Sequence, residues 1–299
     1  MLLLTGATGR VGAAVLRGLV AEGTEVRCLV RDSRRLGAQR VRVQIALGDL
    51  ADPPSFRNAL RGVNTVVHLA GAIRDQPRGS IEELNGIATW RMVEAAERSG
   101  VERFAFFSAL GASTYQRARY FRAKALAEQA VRESRLPSTV VFAPSIVYAP
   151  GDRWLTLLER MALLPVMPVS GRGRACYEPL WAEDAADCVI SWLRTPDGGA
   201  SRAGRHERYE LAGPQWLTYN DIVRTVLGAL GRNRPLLHIP TSIVSRTLRL
   251  LEASAGQRAF ATWDEAELLE VTMTSARGTA DAEALGVAPQ PMAAVLGPR

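Results

Sequence analysis

Lysine is nearly absent: of the 37 lysines and arginines in this 299-residue chain, Lys124 alone is a lysine. The other scarce residues exclude whole classes of chemistry. Three cysteines, Cys28, Cys176 and Cys188, are odd in number and lack ligand spacing, and Cys28 falls in an apolar run that suits a buried free thiol. Three histidines, His68, His206 and His238, lie far apart, so no metal centre is expected. No apolar stretch is long enough to span a bilayer. The start, Met1-Leu2-Leu3-Leu4-Thr5, runs into glycines without a basic segment or cleavage site, and a cytoplasmic location is expected. Arginines are scattered through amphipathic segments rather than gathered in a stripe. A net charge of +7 therefore suits a small anionic ligand and not nucleic acid.

What is present is an ordinary apolar fraction, 47%, with 22% charged residues, enough for a full core. Short apolar runs alternate with helix-length amphipathic segments through the first half. Strands are predicted at Leu2–Thr5, Glu25–Val30, Val43–Leu47, Thr65–Leu69, Phe104–Ser108 and Thr139–Ala143. Helices are predicted near Arg10–Glu22, Pro54–Arg61, Ile81–Ser99 and Arg117–Ser134. Each strand is apolar nearly throughout, as when both faces are covered. The fold class is therefore α/β, a Rossmann-type doubly wound parallel sheet with a small C-terminal substrate-binding lobe. After residue 144 the rhythm loosens. A helix near Glu183–Arg194, a surface loop at Pro196–Gly204, a strand near Tyr209–Leu211 and a helix capped by Thr218 and ending at Leu230 follow. The expected division is a nucleotide-binding unit over residues 1–240, with lobe insertions after residue 150, and a helical segment over 241–299.

The first strand runs into Thr5-Gly6-Ala7-Thr8-Gly9-Arg10-Val11-Gly12, which opens a helix. A dinucleotide pyrophosphate needs backbone N–H groups at a helix N-terminus with no side chains in the way, which three glycines allow. About twenty residues on, the second strand ends at Val30-Arg31-Asp32. An arginine here suits the 2′-phosphate of NADP, whereas an acidic residue would bond the ribose of NAD. Arg31, with Arg10, Arg34 and Arg35 nearby, favours NADP(H), and Asp32 keeps NAD(H) open. Asp49 and Leu50, after the third strand, offer a carboxylate and backbone to the adenine, or a turn cap.

The solitary lysine lies four residues after a tyrosine, in Tyr120-Phe121-Arg122-Ala123-Lys124. On a helix these share a face. An ammonium can change its pKa and rotate its donors as a guanidinium cannot. Beside a phenol it should favour the phenolate and bring Tyr120 toward the range of a general acid.

Gly6-x-x-Gly9-x-x-Gly12, Asp49, His68-Leu69-Ala70-Gly71, Ser108 and Tyr120-x-x-x-Lys124 together resemble the short-chain dehydrogenase/reductase superfamily over about residues 1–240. The later segments Pro144-Ser145-Ile146-Val147-Tyr148-Ala149-Pro150-Gly151-Asp152 and Tyr209-Glu210-Leu211-Ala212-Gly213-Pro214 look like its extended and atypical branches. That grouping includes sugar epimerases and the NAD(P)H-binding accessory subunit of respiratory complex I. The resemblance implies Tyr120 as general acid, Lys124 as its partner holding the nicotinamide ribose, and Ser108 polarising the same carbonyl. It implies that Ala70, Gly71, Ala143 and Ile146 line the cofactor, and that Asn85 supports a relay water unless it is a plain helix-surface amide. His68 reads as a satisfied core histidine. Two departures thin the polar anchors of a nucleotide-sugar enzyme, Ala143 where relatives carry arginine and Ala149 where glycine is usual. Tyr148, Trp154, Met161 and Trp181 could wall the nicotinamide, whereas Arg153, Arg172 and Arg174 could bind a diphosphate or carboxylate. The implied activity is NADPH-dependent reduction of an apolar or aromatic small-molecule carbonyl. The alternatives are a non-catalytic NADPH-binding subunit or sensor, and a nucleotide-sugar epimerase or dehydratase. The oligomeric state is left open.

Overall fold

The computed structural model describes residues 1–195, 205–255 and 262–297. Seven parallel strands form its central sheet: β1 (Leu2–Thr5), β2 (Val26–Val30), β3 (Gln44–Leu47), β4 (Thr65–His68), β5 (Arg103–Phe107), β6 (Ser138–Pro144) and β11 (Arg205–Leu211). Their spatial order is β11-β6-β5-β4-β1-β2-β3. The register, Thr5 opposite both Leu29 and His68, brings the C-terminal ends of β1, β2 and β4 level. Strand order reverses between β1 and β4, and in such sheets a ligand crevice opens beyond the strand ends at that point. This is the Rossmann-type arrangement.

Helices cover both faces because the central strands β1, β2, β4, β5 and β6 are mostly apolar and buried. On one face α1 (Arg10–Ala21) packs with α6 (Ala182–Arg194), burying Val15, Leu16, Leu19, Val189, Ile190 and Trp192 over β1, β2 and β6. On the other, α2 (Pro53–Phe56), α3 (Ala88–Arg98) and α4 (Arg119–Arg132) bury Phe56, Met92, Val93, Ala96, Ala127 and Val131. At about 25 cal/mol per Å² these apolar surfaces are the main stabilising term. Arg103, at the start of β5, donates to the Trp192 and Leu193 carbonyls at 2.9 and 3.2 Å and lies over the Trp192 ring at 4.2 Å, closing the C-terminus of α6.

The lobe beyond β6 is a set of short pairs. In it β7 (Val147–Tyr148) pairs with β10 (Leu180–Trp181), β8 (Met167–Ser170) with β13 (Leu236–Ile239), and β9 (Cys176–Tyr177) with β12 (Leu217–Thr218). Helices α5 (Arg153–Met161) and α7 (Tyr219–Ala229) supply its core, and Thr218 with Asp221 forms a capping box at the start of α7. The chain ends in α8 (Thr241–Ala255), α9 (Trp263–Leu268), α10 (Ala280–Ala284) and α11 (Met292–Leu296). The last stretch threads back through both layers. Met273 N donates to Cys176 O at 2.8 Å, Glu210 N to Asp281 at 2.8 Å, and Gln290 N to Asp184 at 2.8 Å.

The first six strands, α1 and α4 lie within a residue or two of the sequence prediction, whereas the helix predicted near Pro54–Arg61 is the single turn α2 followed by a 3-10 turn at Arg57–Leu60. Three further elements differ. β3 is not covered on both faces: it is the sheet edge, and Leu47 is 64% exposed. The predicted strand at Tyr209–Leu211 extends back to Arg205, since pairing with β6 recruits the polar residues before it. The helix predicted from Ile81 holds a π-turn at Glu83–Ile87 before α3 begins. The surface loop expected at Pro196–Gly204 lies outside the described residues.

Candidate functional site

The glycine loop follows β1 and opens α1 as expected. Gly6 has φ 75°, the left-handed region, and a Cβ there would lie 2.6 Å from Ala70 N. At Gly12 a Cβ would lie 2.1 Å from Gly6 O. These glycines are required by close backbone approach. Gly9 is the N-cap of α1 and brings no capping side chain, and no acidic residue stands in the first turn. The first N–H groups of α1 are thus left for an anion, with the positive end of the helix dipole behind them. Thr8 is half-buried and Val11 packs on the core beneath. This cradle fits a dinucleotide pyrophosphate. The exposed Arg10 donates across it to Gly151 O, joining the loop to the lobe.

At the end of β2, Arg31 is exposed and donates to Gln76 Oε1 at 2.9 Å. Asp32 accepts from Arg34 N and pairs with the Arg34 guanidinium at 2.9 Å, contacts that hold its carboxyl below the usual range. Its carboxylate is therefore already committed to a local cap. Asp49 bonds Ala51 N at 3.1 Å and lies 3.4 Å from Arg78, so of the two readings its side chain takes the turn cap. Leu50 packs against the core on the α3 side.

Beyond β4 the loop 69–72 crosses the glycine loop and meets α4. A Cβ on Gly71 would lie 2.6 Å from Asn85 Oδ1 and 3.3 Å from Lys124 Nζ. Lys124 is 3% exposed, donates to Phe107 O at 2.7 Å, and lies 4.8 Å from the Phe106 ring centre. Burial draws its ammonium down to about 8, while the Glu128 carboxylate works in the opposite direction. Tyr120 sits one turn earlier with Lys124 Nζ 5.7 Å from its ring centre. The expected lowering of the phenol by the lysine is not seen. Burial dominates and pushes Tyr120 up to about 12, because an apolar surrounding penalises the phenolate. Ala143 is buried and Ile146 partly so in the cluster that also holds Tyr120, Phe121, Tyr148, Trp154, Met161 and Trp181.

Two of the predicted polar residues are differently engaged. Ser108, 2% exposed, donates its hydroxyl proton to Glu128 Oε1, so the donor anticipated for a carbonyl is directed at α4. Asn85 is fully buried in the π-turn and is no surface amide. It donates to Ala72 O and Ile81 O at 2.7 and 2.8 Å and accepts from Ala72 N at 3.2 Å, fixing the loop beside Gly71. Of the three arginines expected near the lobe, Arg153 feels Arg74 and Glu265, whereas Arg172 and Arg174 are exposed between β8 and β9. Between the loop after β4, α4 and α9, Arg74 pairs with Glu265 at 2.6 Å, and Arg119 bridges Asp75, Glu82 and Asp264. Two residues that hold α4 in place, Glu128 and Arg119, were not singled out in the sequence. Glu128 repeats the four-residue spacing of Tyr120 and Lys124, a signal that was available. Arg119 carried none.

His68 is buried as predicted, and its partners fix its tautomer. Ala70 N donates to Thr5 Oγ1 at 3.3 Å, and Thr5 Oγ1 meets His68 Nδ1 at 2.9 Å. His68 Nε2 meets Thr89 Oγ1 at 3.1 Å, and Thr89 Oγ1 donates to Asn85 O at 2.6 Å. Thr89 spends its one proton on a carbonyl, so it accepts from Nε2–H. Nδ1 must then accept from Thr5. The chain of donors runs one way from the loop after β4, through β1 and β4, to the π-turn.

The NAD(P)H-binding family matches residues 6–159. A ceramide reductase of Caulobacter vibrioides is 30% identical over 242 residues, 79% of this chain and 73% of that protein. The rat mitochondrial NADH dehydrogenase [ubiquinone] 1 alpha subcomplex subunit 9 is 25% identical over 294 residues, 96% of this chain and 76% of that protein. The crystal structure of a nucleoside-diphosphate-sugar epimerase from Staphylococcus aureus superposes with a TM-score of 0.76 at 19% identity, covering 99% of both chains, a likeness of fold.

Burial, then the charge on Lys124, take the His68 pKa down to about 3. Its ring should therefore show the Nε2–H pattern of nitrogen shifts by NMR and no titration between pH 5 and 8. A His68 signal titrating near the ordinary 6.5 would contradict the assigned chain of hydrogen bonds.

Proposed function

We propose, since this chain belongs to the NAD(P)H-binding family and to the extended branch of the short-chain dehydrogenase/reductases, that it is an NADPH-dependent reductase of an apolar carbonyl compound. The observation that carries the reading is the meeting of the glycine cradle, Gly71 and the buried Lys124 ammonium, with Tyr120 one helical turn away. The cofactor supplies a hydride when bound. Tyr120, held as the neutral phenol, is in the form that can give a proton to the carbonyl oxygen as hydride reaches the carbonyl carbon. The resulting phenolate would be stabilised by the Lys124 ammonium beside it and re-protonated before the next turnover. Lys124, with Nζ at the Gly71 backbone, is also suited to bonding ribose hydroxyls. The aromatic and apolar side chains around Tyr120 favour an apolar substrate, and the similarity to a protein named a ceramide reductase supports this.

A second reading, a non-catalytic NADPH-binding subunit, draws on the engagement of Ser108 with Glu128 and on the similarity to the complex I subunit. The two readings part on mutation. If Tyr120 is the acid, Tyr120→Phe and Lys124→Arg should each lower steady-state carbonyl reduction by at least about a hundredfold, with NADPH binding by fluorescence retained in Tyr120→Phe. Full turnover by Tyr120→Phe would remove the tyrosine from the mechanism. A wild type that binds NADPH and reduces no member of a carbonyl library would favour the second reading.

NADP(H) preference is supported by Arg31 at the end of β2 and by the commitment of Asp32 to Arg34. Loss of one charge-assisted contact to the 2′-phosphate costs about 1.5–3 kcal/mol, roughly tenfold or more in affinity. Arg31→Ala should weaken NADPH by that factor and leave NADH nearly unchanged. Equal or tighter NADH binding by the wild type would reverse the assignment.

A further inference from the structure

Tyr120, Lys124 and Glu128 occupy successive turns of one α4 face. Two of them are held by adjacent residues at the end of β5. Lys124 Nζ donates to Phe107 O at 2.7 Å, and Ser108 Oγ donates to Glu128 Oε1 at 2.5 Å. Ser108 is itself fixed, since its N–H donates to Phe142 O of β6 at 2.7 Å. The second oxygen of Glu128 lies 3.5 Å from Arg208 Nε on β11, and Arg208 also pairs with Glu210 at 2.6 Å. One carboxylate thus joins α4 to β5 and β11, with only 15% of its side chain exposed.

We propose that Glu128 is a positioning residue for Lys124: it fastens the lysine-bearing face of α4 to the end of β5 and supplies the negative charge that faces the ammonium. An amide could keep the tether to Ser108 but not the charge. Among the described residues, the other groups around the lysine do not offer one. Tyr120 is a neutral phenol on the same helix, and His68 on β4 is neutral. Asn85 beside Gly71 is uncharged, and Arg208 on β11 is a cation already shared with Glu210. A buried ammonium with no counter-charge sheds its proton more readily. Without Glu128, less of Lys124 would be charged at neutral pH. The catalytic consequence rests on the proposed reductase reading, whereas the ionisation of Lys124 does not.

The solitary lysine makes the test direct, because protein grown with ¹³Cε-lysine gives one lysine signal. Its NMR titration is followed in the wild type, Glu128→Gln, Glu128→Asp and Arg208→Gln, with circular dichroism confirming the fold. The wild-type midpoint should lie at about 8. Glu128→Gln should lower it by about one unit, a tenfold loss of proton affinity. Glu128→Asp, which keeps the charge, should restore much of the difference. Arg208→Gln removes a cation that competes for Glu128 and should raise the midpoint, so the proposal stays decidable if Glu128→Gln fails to fold. In parallel, the limb of kcat against pH on which activity falls as Lys124 loses its proton should move to lower pH in Glu128→Gln, with NADPH affinity little changed. An unmoved lysine midpoint in folded Glu128→Gln, or in Arg208→Gln, would overturn the proposal. Absent turnover in the wild type would overturn the reductase reading alone, and the titration would still decide the role of Glu128.

Discussion

A charge taken out of water must be compensated, and the structure is organised around one such charge. Moving an ammonium from water into a protein interior costs several kcal/mol even after relaxation, and a single well-aimed carbonyl returns only part of it. Lys124 has the Phe107 carbonyl, the face of Phe106 and the field of Glu128. The first two come from β5, which the Rossmann order sets beside α4, and Glu128 comes from the next turn of α4 itself. The site therefore depends on β5 and α4 keeping their register.

The surroundings show how that register is kept. Hydrogen bonds run one way from the Ala70 amide through Thr5, His68 and Thr89 to the Asn85 carbonyl, while the Asn85 side chain clasps Ala72 and Ile81. Because every member of the chain is satisfied, the network can be buried without an orphaned polar atom. It connects the strand that leads into the glycine cradle with the loop that touches Lys124. A cofactor filling the cradle would thus lie against the same loop that borders Lys124.

Much of the fold was legible because strands buried on both faces are apolar without interruption, and amphipathic helices separate them. The cradle was legible for the same kind of reason: Gly6 and Gly12 are demanded by backbone contacts that any side chain would break. The lobe was not. Pairs such as β7 with β10 and β9 with β12 are two residues long, too short to show alternation, and they form because α5, α7 and the returning C-terminal stretch enclose them. The ionisation of the site differs in one respect from what spacing implies. Spacing alone put Lys124 beside Tyr120 and implied a lowered phenol. The depth of burial, which no local pattern records, sets both groups by desolvation. The engagement of Ser108 with Glu128 depends on how two distant segments stack, although the repeat Tyr120, Lys124, Glu128 marked one half of it.

The central claim is that Lys124 stands where the nucleotide is held, and its uniqueness gives one direct measurement. In ¹³Cε-lysine-labelled protein at fixed pH, addition of NADPH should move the single lysine resonance, and the change should saturate together with the fluorescence of the bound cofactor. A resonance that stays in place while fluorescence reports full NADPH binding would mean that the cofactor lies elsewhere, and the account of this site would fail.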